Sequence, residues 1–152
     1  MSNNLTDVEV DIILPNYNSA KYLEETINSI INQTFKNWSL TIVDANSNEE
    51  TKQILNKYID HKKIKIIFLK KNKKAGFCRN FAIRNSKSDY IAFIDSDDIW
   101  KKEKLSEQLD FMIKNKYHFT YTNYLPFKSD IKKENLKEIK PKKIFNFEMF
   151  TK

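Results

Sequence analysis

Three carboxylates in four positions, Asp95-Ser-Asp-Asp98, follow the apolar run Tyr90–Ile94. A strand that ends in clustered like charges is costly to bury unless a cation or hydrogen bonds compensate. On an extended backbone, residues two apart point the same way, so Asp95 and Asp97 share a direction while Asp98 is placed to begin a following helix. That arrangement suits a hard divalent cation, Mn²⁺ or Mg²⁺, held by one or two carboxylates and completed by phosphate oxygens of a substrate. The structural alternative is that Asp98 caps a helix and the other two are solvated turn residues.

Composition narrows what such a site can bind. The 152 residues contain one glycine, Gly76, where average usage of roughly 7% would supply about ten. A glycine-rich dinucleotide or P-loop cradle cannot be written with it, so a bound diphosphate must be neutralised by basic side chains or a metal. Cys78 is alone and cannot form an internal disulfide, and with only His61 and His118 beside it a structural zinc site is not expected. Net charge is +7, with 27 Lys+Arg against 20 Asp+Glu. Only Arg79 and Arg84 are arginines, the residue that makes bidentate contacts to phosphate and guanine, so no nucleic-acid partner is expected. The lysines read as a solvated surface, or as a face for an anionic partner such as a membrane. The polar start, with no apolar signal region and no long apolar run, makes the cytoplasm the expected compartment, with the inner membrane face as a site of peripheral contact.

The elements that must position the carboxylates follow from periodicity. Short apolar runs at Val10–Leu14, Leu40–Val43, Ile64–Leu69, Tyr90–Ile94 and Phe119–Tyr121 predict strands. Helical spacing lies between them: Leu23, Ile27, Ile30 and Ile31; Ile54, Leu55, Tyr58 and Ile59; Phe81, Ala82 and Ile83; Leu105, Leu109, Met112 and Ile113. Alternating β and α elements imply an α/β fold with an open, mainly parallel sheet and helices on both faces. Ligands of such sheets bind beyond the carboxyl ends of the strands. Three polar clusters fall there: Pro15-Asn-Tyr-Asn18, Asp44-Ala-Asn-Ser47 and Asp95-Ser-Asp-Asp98. From Lys128 to Lys143 the chain is charged and aperiodic, and Ile144–Phe150 turns apolar again. The expected division is therefore a ligand-binding α/β domain at 1–127 and, at 128–152, a charged connection ending in an apolar segment.

Ordered motifs support that assignment. Asp95-Ser-Asp-Asp98 resembles the D-x-D-type motif of the family 2 glycosyltransferases, nucleotide-sugar enzymes of the GT-A fold. Ile12-Ile-Leu-Pro-Asn-Tyr-Asn18 resembles their opening strand, and Leu23–Phe35, closing in Gln33-Thr-Phe35, their first helix. Ile42-Val-Asp-Ala-Asn-Ser47 resembles the second-strand motif, and Asn72 to Asn80 the segment before the third helix. The resemblance runs from about residue 8 to 125, and it implies that 1–127 is a nucleotide-sugar-binding domain and 128–152 a charged connection and the start of a missing acceptor-binding half. It implies a donor that is a nucleotide diphosphate sugar, with a UDP-sugar first, and transfer to a glycan or lipid-linked acceptor in polysaccharide biosynthesis. It places Pro15 and Tyr17 by the nucleobase, Asp44 along the nucleoside pocket, Asp95 near the ribose and Asp97 on the metal bridging the diphosphate. Arg79 would brace the carboxylate rim through a bidentate pair or reach the donor, and Lys74 would contact base or phosphates.

Two departures stand out. Ala45 takes the place of a second acidic residue in many relatives, and Lys73 and Lys74 stand where small residues are common. The family's general base lies past the region corresponding to this chain's end, and Asp130, Glu134 and Glu148 lack the right context for it. Two competing readings are a haloacid-dehalogenase-like phosphatase, since Ile94-Asp-Ser-Asp97 also fits an apolar strand leading into D-x-D, and a non-catalytic basic binding module. The phosphatase family carries its nucleophile on the first strand, whereas this motif follows the fourth.

Overall fold

The structure is a computed structural model, and it describes residues 8–126 and 137–140. Strands β1 (Val10–Asn16), β2 (Trp38–Asp44), β3 (Ile64–Phe68) and β4 (Tyr90–Phe93) alternate with helices α1 (Ala20–Ile31), α2 (Glu49–Asn56), α3 (Ala75–Asn85) and α4 (Lys104–Asn115). The four strands form one parallel sheet in the order β3-β2-β1-β4. Right-handed crossovers fix the layers: β1-α1-β2 and β2-α2-β3 step one way and β3-α3-β4 steps back, which places α1 and α2 on one face and α3 on the other.

Register explains the sequence pattern. Ile12 pairs with Leu40 and Leu14 with Ile42, forming the face under α1 and α2, where Leu23, Ile27, Ile30 and Leu55 are fully buried. Ile13 and Val43 point to the other face and pack with Ala45, Cys78 and Ala82. Every residue of the central strand β1 is buried, whereas the edge strands β3 and β4 are mostly half-exposed. Pro15 falls beyond the last β1–β4 pair, Ile13 with Phe93, so its missing N–H interrupts no hydrogen bond on that side.

By contact, the chain divides into two compact units, Met1–Asp110 and Phe111–Lys152. The first holds the sheet. In the second, Phe111 stacks at a tilt on Tyr117, and Tyr124 forms an isolated antiparallel bridge with Ile139. Phe119–Tyr121, expected as a fifth strand, is not one. Its rings are exposed and pack on each other, with no strand beside them among the described residues to satisfy a ladder. The expected division at 127/128 and the segment Ile144–Phe150 lie outside the described residues, as do Asp130, Glu134 and Glu148.

Candidate nucleotide-binding site

The strand order reverses between β1 and β4, and open α/β sheets hold ligands in the crevice at such a switch point. After Phe93 the β4 chain leaves β1, while β1 stays paired to β2 through Asn16 and Asp44. The chain leaving β1 carries Tyr17, half-exposed, and the chain leaving β4 carries Asp95, Asp97 and Asp98, all exposed. The sequence therefore brings both groups to one rim.

With no glycine available, asparagines make the tight turns there. Asn18 and Asn46 have φ of 50° and 64°, the left-handed region that asparagine tolerates better than most residues. Asn18 Oδ1 accepts from Asn48 N at 2.8 Å, which ties the loop after β1 to the one after β2. Asn48 also caps α2, accepting from Thr51 N at 3.1 Å.

Asp44 anchors these loops from beneath and is fully buried. Its carboxylate accepts from Asn16 Nδ2 at 2.6 Å, Ser47 Oγ at 2.5 Å and Ser47 N at 3.0 Å. Ser47 Oγ in turn accepts from Asn18 N at 2.9 Å, and Ser19 Oγ donates to Asn16 Oδ1. Asp44 therefore shapes the floor under Tyr17 through hydrogen bonds within the chain. Pro15 is buried in the same strand end, behind Tyr17.

The acidic loop is held from two sides. Arg79, one turn into α3, donates through Nη2 to Asp95 Oδ1, a single contact rather than the bidentate pair considered from sequence. From the other side, Thr26 and Ser29 of α1 and Gln33, just past the C-cap Asn32, form a polar row. Thr26 Oγ1 donates to Ser96 O at 3.1 Å, and Ser29 Oγ accepts from Trp100 N at 3.2 Å. Gln33, fully buried, donates from Nε2 to Lys101 O at 2.8 Å and to Ser29 O at 3.0 Å, and its Oε1 accepts from Leu105 N at 3.0 Å. That last bond satisfies one of the orphan N–H groups in the first turn of α4.

Asp98 does not cap a helix, as one sequence reading had it. Its N–H closes a turn onto Asp95 O, and α4 begins only at Lys104. Loss of hydration raises the Asp98 carboxyl above the ordinary range, and the negative charges of Asp97 and Asp95 add to the rise. Such a cluster favours a cation beside it. Among the described residues no three acidic, histidine or cysteine side chains converge into a closed cage. Lys74 is exposed at the N-cap position of α3 on this rim, with its backbone carbonyl accepting from Phe77 and Cys78.

The Gln33 clamp escaped a reading tuned to apolar stripes. Ile31, which helical spacing places in the apolar stripe of α1, is only half-buried, whereas Thr26 and Gln33 are fully enclosed. The signal is a polar Thr26 and Ser29 on one face of α1, followed by Gln33 just after the helix end.

A parallel α/β sheet with acidic and aromatic residues at its switch point defines a Rossmann-like nucleotide-binding class of protein. The profile of Glycosyl transferase family 2 matches residues 11–152, and the chain belongs to this family. It is 37% identical over 120 residues to the Escherichia coli UDP-Glc:alpha-D-GlcNAc-diphosphoundecaprenol beta-1,3-glucosyltransferase WfgD, covering 79% of this chain and 47% of that protein. It is 41% identical over 117 residues to WfaP of the same species, which carries the same activity name, covering 76% of this chain and 45% of that protein. The chain thus spans a little under half the length of these relatives. Among solved structures, S. aureus TarS 1–349 in complex with UDP-GlcNAc superposes with a TM-score of 0.65 at 33% identity, over 70% of this chain and 31% of that one. The mannosyltransferase PcManGT from Pyrobaculum calidifontis, in complex with GDP-Man and Mn²⁺, shares the fold at a TM-score of 0.64 and 19% identity, over 69% of this chain and 32% of that one. The GT-A fold expected from the sequence is thereby established, and the phosphatase reading falls with it.

Proposed function

We propose that this chain forms the donor-binding part of an inverting, metal-assisted glycosyltransferase that moves a sugar from a nucleotide diphosphate sugar to a glycan or lipid-linked acceptor. The observation that carries the reading is the rim at the β1/β4 switch point, where exposed Tyr17 follows β1 and Asp97, with Asp95 braced by Arg79, follows β4. A UDP-sugar is the favoured donor, as in the ligand of TarS and the activity names of WfgD and WfaP. Those same names favour a lipid-linked acceptor, and with it work at the cytoplasmic face of a membrane.

In this scheme Tyr17 offers its ring to the nucleobase, on a floor fixed by Asp44, Asn16 and Ser47. Asp95, shared with Arg79, would lie toward the ribose, and Asp97 would hold Mn²⁺ or Mg²⁺. When bound, the cation supplies positive charge against the departing diphosphate. The acceptor hydroxyl loses its proton to a base, and its oxygen attacks the anomeric carbon as the nucleoside diphosphate leaves. No described residue is assigned as that base.

Thermal unfolding with a panel of nucleoside diphosphates, in Mn²⁺ and in EDTA, tests the reading. UDP is expected to raise the melting temperature only with metal, and Asp97→Ala to abolish that part. A ligand at 100 times its dissociation constant adds about 2.7 kcal/mol, several degrees for a domain of this size. Equal stabilisation in EDTA and Mn²⁺ rejects the metal role.

A further inference from the structure

We propose that the loop joining β3 to α3 docks this chain onto an anionic lipid surface. Between Asp60 and Asp89 the sequence contains no acidic residue, and four of the five positions 70–74 are lysine, interrupted only by Asn72. Lys70, Lys71, Lys73 and Lys74 are all exposed, and among the described residues none of them is paired with a carboxylate. The charge is therefore available to an outside partner.

Aromatic rings flank it. Phe68 closes β3 just before the loop and Phe77 opens α3 just after it, with 41% and 46% of their surfaces exposed. The Lys73 ammonium sits 5.2 Å from the centre of the Phe77 ring, so cation and ring share one surface. Exposed rings beside clustered lysines suit the headgroup level of a bilayer, where a ring is half-immersed and an ammonium meets lipid phosphate.

The opposite end of the sheet is a useful contrast. Lys62, Lys65 and Lys87 line a cavity there, together with Glu9 and the buried carboxylate of Asp11, so acids are interleaved with the lysines. Position adds a further argument, resting on the function proposed above. The loop leaves the carboxyl end of β3, the same end of the sheet as the donor rim, and an enzyme whose acceptor is anchored in lipid must turn that rim to the membrane.

The chain should therefore co-sediment with vesicles of phosphatidylcholine containing about one-third phosphatidylglycerol and remain in solution with phosphatidylcholine alone. Raising salt from about 0.1 M to 1 M, which shortens the screening length about threefold, should release it. Each lysine near such a surface contributes roughly fivefold in partitioning, so K70Q/K71Q/K73Q should lose about a hundredfold. The charge-matched K62Q/K65Q/K87Q should lose no more than a few-fold. Lys74 is left intact in both variants because it is assigned to the donor.

Equal losses in the two variants, equal binding to neutral vesicles or no binding to either kind would overturn the proposal. So would a short single-stranded RNA that displaces the chain from vesicles at matched phosphate. The metal-dependent UDP shift, measured on the same samples, separates the two readings: its absence with lysine-dependent lipid binding sinks the donor assignment alone, and its presence without lipid binding sinks the docking loop alone.

Discussion

Replacing Gln33 by methionine keeps the length and approximate volume of the side chain while removing its amide, and isolates what the clamp contributes. Three hydrogen bonds disappear, to Ser29 O, Lys101 O and Leu105 N, at a residue with no exposed surface. Each is worth roughly 0.5–1.5 kcal/mol net, and a buried partner left without one costs about 1–3 kcal/mol. Ser29 O and Lys101 O accept from the lost amide, and Leu105 N is an orphan of the first turn of α4 with no water to replace Oε1. A loss of about 3 kcal/mol results. For a urea slope of about 2 kcal/mol/M the midpoint falls by about 1.5 M. The loop it holds runs directly from Asp97, so the metal-dependent UDP shift should shrink at temperatures where Gln33→Met is still folded. Urea unfolding followed by far-UV circular dichroism gives the first quantity and the thermal-shift panel the second. A midpoint within about 0.3 M of the wild type would refute the clamp, since it would mean that solvent reaches those backbone groups or that the loop is held by Thr26 and Ser29 alone.

Asp44→Ala should destabilise the fold by several kcal/mol, because it strands Asn16 Nδ2 and two Ser47 donors in a site without solvent, whereas Tyr17→Ala, at an exposed ring, should weaken UDP binding with an unfolding midpoint close to wild type. Lys104 is depressed to about 8 by burial, against an ordinary 10.5. Between those values the unfolded chain binds the proton more tightly, so stability should rise with pH from about 8 to 10.5 relative to Lys104→Met, and parallel pH profiles of the two proteins would contradict it. The ring of Trp100, 3.7 Å from the ammonium, favours the charged form and limits the gain.

What was legible in the sequence was whatever periodicity or like-charge clustering can encode. Ile12, Leu14, Leu40 and Ile42 announce a buried strand face at a spacing of two, and Leu23, Ile27 and Ile30 a buried helix stripe, so the four-stranded core and its two layers followed. Phe119–Tyr121 misled because three apolar or β-prone residues make a strand only when a neighbouring strand takes their hydrogen bonds, and short runs carry no information about neighbours. Asp98 misled differently: an acid before an apolar run looks like a cap, yet Trp100 is held by Ser29 and Lys101 by Gln33, and α4 begins only at Lys104.

The site shows the same division between what is local and what is not. Asp44 was expected beside a ligand because it ends a strand on the right rim, and the rim is where it lies. Its burial, however, depends on Asn16 and Ser47 arriving from two different loops, and those arrive only because Asn18 and Asn46 take left-handed turns that a chain with a single glycine must build otherwise. The glycine shortage that excluded a phosphate cradle thus has a structural counterpart: the loops are fixed by side-chain amides and hydroxyls rather than by permissive backbone. A rim built that way is rigid at its floor and leaves its charge chemistry to side chains that stand above it, Asp95, Asp97 and Arg79. Substitutions in the floor should therefore be felt first as lost stability, and substitutions above it as lost affinity, which is the contrast between Asp44→Ala and Asp97→Ala.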